Sequence, residues 1–128
     1  PLAERLRNGI GRHFDFVAEN PDLPRFIVNE VFARPERYEL MRRRIGPLAG
    51  SLMREMQQEL DAAAACGRAE PIDARMLLLD IISINVFPFL AYPLIGPLLG
   101  DLAADRETFF ARRRAEHIEV ILRRLNIH

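Results

Sequence analysis

Residues 81–100, IISINVFPFLAYPLIGPLLG, carry no charged side chain in a chain that is otherwise 28% charged. A run of about twenty apolar residues is either a bilayer span or a helix covered by protein on more than one side. Three features favour the second. Pro88, Pro93 and Pro97 fall in its second half together with Gly96 and Gly100, and each proline removes a backbone donor where lipid offers no substitute. Asp80 and Asp101 bracket the run, with no basic cluster at either end to set an orientation. The other apolar stretches are amphipathic, and a lone span would leave their apolar faces uncovered. The expectation is therefore no membrane partner, a fourth helix ending near Phe87, and a proline-broken connection over residues 88–100.

A length of 128 residues fits one domain with its own core. The chain starts at Pro1 rather than Met, and Leu2 to Leu6 already lies inside a periodic pattern. It is thus expected to be a piece of a longer chain, for which a missing signal peptide says nothing. Eighteen basic residues, all Arg, balance eighteen acidic ones, so no long-range field gathers nucleic acid or anionic lipid. The single cysteine, Cys66, excludes an internal disulfide framework and any multi-cysteine metal site, which makes a reducing, cytoplasmic setting the default.

Apolar residues recur at three and four positions throughout, without sustained alternation, and the class is all-α. The pattern predicts an antiparallel bundle of about five to six helices. The first carries Leu2, Leu6, Ile10, Phe14 and Val17. A short second one follows Asn20 as cap, with Pro21 at its first position. The third runs from Glu36 to about Cys66, kinked or divided at Gly46 and Pro47 and closed by Gly67. Asp73 caps the fourth. The last runs from about Asp105 or Arg106 to Leu125.

The fourth and last helices are apolar on two sides. Leu77, Ile81 and Ile84 share one side, and Leu78, Ile82, Asn85, Val86 and Phe89 lie about 100° or more away. On the last helix, Phe110, Arg114, His117 and Ile121 form one stripe beside Ala111, Ala115, Ile118, Leu122 and Leu125. A helix apolar on two sides is sandwiched, and the simplest second surface is another copy of the chain. Leu77, Ile81, Ile84, Phe110, His117 and Ile121 are the candidate dimer contacts, in a twofold four-helix bundle. If His117 meets its symmetry mate, protonation near pH 6.5 would weaken the dimer.

FDFVAENPDLPRFIVNEVF, the long helix after it, CGRAEPIDARMLLLDIISINVFPFL and the closing EVILRRLNI together resemble the C-terminal domain of the TetR family of bacterial transcriptional regulators. The resemblance covers essentially the whole chain; Ala74 stands where the family often has proline after the capping Asp. It implies that residues 1–128 form a ligand-binding and homodimerisation domain, paired through its last two long helices. It also implies an N-terminal helix-turn-helix domain before Pro1 that carries operator binding, and a small-molecule effector held among the first, third and fourth helices. The mode expected is a repressor whose effector changes operator affinity, with Gly46 and Pro47 a candidate place for movement.

Phe14, Phe26, Met53, Met56, Asn85 and Phe89 are the candidate ligand residues. Each aromatic or thioether group either lines an apolar cavity or fills ordinary core, and Asn85 either orients an effector or ties down backbone freed by Pro88. Phe16, Phe87, Tyr92, His13 and Asn29 are weaker candidates. The Arg runs at 42–44 and 112–114 fan out around their helices and form no patch. No nucleophile with its base, phosphate-cradling loop or metal-ligand spacing occurs, so no catalysis, cofactor or metal is expected. The alternatives are a ligand-free helical dimerisation module and a helical enzyme or lipid carrier using the same cavity.

Overall fold

A computed structural model describes residues 1–127 of the chain. Among these, every regular element is helical: α1 (Leu2–Glu19), α2 (Leu23–Phe26), a π-helical turn (Ile27–Phe32), α3 (Pro35–Ala65), α4 (Ala74–Leu98), a 3₁₀ turn (Gly100–Ala103) and α5 (Arg106–Arg124). Cross-helix pairs fix the directions. Asn85 on α4 bonds the Ile10 carbonyl of α1, and Phe89 packs on Phe14, so α1 and α4 run parallel. Asp15 pairs with Arg114 while Phe14 meets His117, so α5 runs against α1. Arg5 pairs with Glu59, and Gly9 and Leu52 face one space, so α3 also runs against α1.

Two cores stack along the bundle. In the first, Leu6 and Ile10 of α1 meet Leu60 and Ala63 of α3, Leu77 and Ile81 of α4, and Ile121, Leu122 and Leu125 of α5. Each fully buried Leu or Ile contributes about 1.5–3 kcal/mol. The second is aromatic: Phe14, Phe89, Phe109 and Phe110 with Val17 and Ala103. Phe89 and Phe110 stack at 4.1 Å, and Arg106 lies over the rings of Phe110 and Tyr92. The N-terminal half of α3 joins neither core; Leu40, Ile45 and Leu48 are exposed.

The helix ends follow local chemistry. Gly67 sits at φ +71°, its N–H bonds the Ala64 carbonyl and the Arg68 N–H bonds that of Ala63, a Schellman closure of α3. Asn126 (φ 56°) closes α5 in the same way, through the Arg123 and Leu122 carbonyls. Asp73 caps α4 by accepting from the Arg75 N–H, and the Arg75 guanidinium beside it lowers its carboxyl to about 2. Gln57 of α3 clamps the loop between them, donating to the Ile72 carbonyl and accepting from the Ala74 N–H.

Four expectations need correction. Residues 88–98 are not a broken connection, because α4 runs unbroken through Pro88, Pro93 and Pro97. Proline's fixed φ is helical, each ring deletes only one hydrogen bond, and packing on α1 and α5 holds the rest. Gly46 and Pro47 do not divide α3 either. Asn20 does not start the second helix but closes α1, its side chain donating to the Phe16 carbonyl; α2 begins after Asp22 with Pro24 in its first turn. Finally, Leu77, Ile81, Phe110, His117 and Ile121 are buried inside the single chain and Ile84 is half-buried against the same core. Periodicity showed two apolar sides on α4 without showing which turns inward. The side left open instead carries Met76, Leu79, Ile82, Phe87, Leu94 and Leu98. α4 is long and apolar enough to cross a membrane by length and composition, and only 22% of its most apolar eighteen-residue window is buried.

Candidate functional site

Where α3 departs from the bundle, it leaves a cavity of about 340 Å³ against α1 and α4. That is at the small end of the range for ligand pockets. Leu6, Gly9, Ile10 and His13 line it from α1, Leu52, Met56 and Leu60 from α3, and Leu78 and Ile81 from α4. The Arg5–Glu59 ion pair closes one end, so its charges cancel there. His13 is the other polar group in the wall.

Gly9 is the unexpected member. Glycine inside a helix costs about 1 kcal/mol relative to alanine, and a Cβ at this position would meet no atom within 4 Å. Packing within the chain therefore does not require it. Gly11 differs: the Arg114 guanidinium, held by Asp15 at 2.9 and 3.1 Å, lies where its Cβ would be.

Behind the cavity wall, between the two cores, lies a buried polar relay. The Arg113 Nε donates to His117 Nε2 at 3.1 Å, and His117 Nδ1 donates to Asn85 Oδ1 at 2.8 Å. The Asn85 amide nitrogen then donates to the Ile10 carbonyl at 3.2 Å and to His13 Nδ1 at 3.0 Å. Both ends fix this direction independently, since a guanidinium only donates and a carbonyl only accepts. Both histidines are therefore neutral, His117 protonated on Nδ1 and His13 on Nε2. Burial first, and then the Arg113 charge, bring the His117 pKa down to about 4, and burial lowers that of His13. No buried side-chain polar atom among the described residues lacks a partner.

Of the six predicted ligand residues, Met56 lines the cavity. Met53 is half-buried on the same helix, outside the wall. Asn85 stands one residue behind the wall, holding His13. Phe14 and Phe89 fill the aromatic core, tilted against each other with ring centroids 5.1 Å apart. Phe26 is exposed beside Pro21 and Leu23 at the far end of α1. His13, a weak candidate by sequence, and Gly9, which drew no notice, prove to be the distinctive residues of the wall. The available signal was a glycine mid-helix at a position flanking the apolar stripe. Among the described residues, no three His, Cys, Asp or Glu side chains gather where they could hold a metal ion.

No protein-family model, curated protein or solved structure matches this chain.

Proposed function

We propose that this chain is the effector-binding and homodimerisation domain of a TetR-like transcriptional regulator. It would act as a cytoplasmic repressor whose operator DNA is held by a domain outside residues 1–128. The observation that carries the ligand half is the apolar cavity between α1, α3 and α4, with a glycine in its wall that the chain's own packing does not explain. A small apolar molecule entering there would wedge α3 against α1 and α4, favouring one arrangement of the dimer over another.

The dimer half rests on the open face of α4. Leu79, Ile82 and Phe87 are exposed, and a groove along Ile82, Val86, Phe87 and Leu90 reaches Arg113 of α5. On α5, Val120 is exposed on the same side as Arg113, two turns further along the helix. An apolar face of this extent calls for a partner, and a second copy would cover it with the same two helices. Residues Leu79, Ile82 and Phe87 thus replace the buried stripe as the proposed contacts.

Thermal shift against a panel of neutral apolar compounds tests the ligand half. A binder present at about 100 times its Kd stabilises by about 2.7 kcal/mol, and Gly9→Leu, which fills the cavity, should abolish the shift. If no compound in the panel stabilises the wild type, a ligand-free dimerisation module is the better description. The residues preceding Pro1 test the class: a helix-turn-helix supports it, and any other fold there removes it.

A further inference from the structure

We infer that the cavity is built for a neutral molecule with an apolar body and one hydrogen-bond acceptor, received by the Nε2–H of His13. This rests on the ligand-binding role proposed above and adds the chemical class of the ligand. Asn85 donates to the Ile10 carbonyl and to His13 Nδ1, and its oxygen is occupied by His117. With Nδ1 forced to accept, the proton of His13 lies on Nε2, and no described protein atom takes it. The wall therefore offers a donor that solvent reaches in the cavity, and a ligand presenting only C–H or N–H groups displaces that solvent without replacing its hydrogen bond.

Charge narrows the class further. Arg5 is paired with Glu59, so among the described residues of the wall no free cation compensates a buried carboxylate, and no free anion compensates an amine. Ketones, esters, lactones and ethers on an apolar skeleton remain. Asn85 and His117 act as positioning residues, since they fix which nitrogen of His13 carries the proton without lining the cavity.

The test compares 4-phenyl-2-butanone with butylbenzene, which share a skeleton and differ by a carbonyl in place of a methylene, by calorimetry on wild type and His13→Phe. The ketone-to-hydrocarbon affinity ratio is expected to be about three- to tenfold higher in wild type than in His13→Phe, the gain of one hydrogen bond over a carbonyl desolvation that both proteins share, with the hydrocarbon still bound by the variant. A ratio unchanged by the substitution overturns the acceptor assignment and leaves the cavity as a ligand site. Binding of neither compound to wild type overturns both. Long-range ¹H–¹⁵N spectra of the wild-type histidines provide a check independent of any ligand: at pH 7.5 His13 should carry its proton on Nε2, and a proton on Nδ1 overturns the inference.

Discussion

At the scale of single residues, the relay from Arg113 to His13 holds the most specific information. Asn85→Ala leaves the buried His117 Nδ1–H without its acceptor and takes from His13 Nδ1 its donor, while the Ile10 carbonyl keeps its bond within α1, and should cost about 1–3 kcal/mol in urea unfolding. Ser83→Ala, on the exposed side of the same helix, should change stability by less than about 0.5 kcal/mol. His117 makes a pH prediction of definite sign. Its folded pKa of about 4 lies below the 6.5 of an unperturbed histidine, so between those values the unfolded chain binds more protons. Stability is complete above about pH 6.5 and falls as pH drops toward 4, by up to roughly 3 kcal/mol. Unfolding curves between pH 7 and 4 for wild type and His117→Phe check this; the variant should lose most of the slope. The sequence showed that a buried amide at 85 needs partners. It did not show that His13 and His117, some seventy and thirty residues away, would be those partners, because only the packing of α1, α4 and α5 brings them together.

At the scale of elements, two glycines, one closing a helix and one inside a helix, should respond oppositely. Gly67→Ala forces a side chain into φ +71° and should cost about 1 kcal/mol. Gly9→Ala relieves the helix penalty without a clash and should gain about 0.5–1 kcal/mol. Thermal or urea unfolding of both variants checks the contrast. Caps and turns of this kind were legible: Asp73, Gly67 and the span of α5 all stand where local patterns put them. The prolines of α4 were not, because a helix held on two sides by neighbours continues through residues that would end it in isolation. The same limit applies to its faces. A helix apolar all round does not say which side its own chain will cover, so Leu77 and Ile81, expected against a partner, turn inward beside Asn85 and Phe89, while the all-α class stands.

At the scale of the whole molecule, the open face of α4, the exposed N-terminal half of α3 and the cavity behind α1 are apolar surfaces that the described residues leave without a partner. Leu79→Glu combined with Phe87→Glu should convert a dimer to a monomer in sedimentation analysis while preserving the helical spectrum. Leu48→Glu, exposed on the free half of α3, should leave the mass unchanged. A wild-type chain that sediments as a monomer, or that partitions into lipid vesicles through α4, would remove the dimer proposal. The most direct single measurement is a methyl NMR titration of the wild-type chain with 4-phenyl-2-butanone. The cavity predicts saturable shifts at Leu6, Ile10, Leu52, Met56, Leu78 and Ile81, with Leu79, Ile82 and Leu90 unmoved. Shifts confined to the outer groove of α4, or none at the cavity methyls, would contradict it.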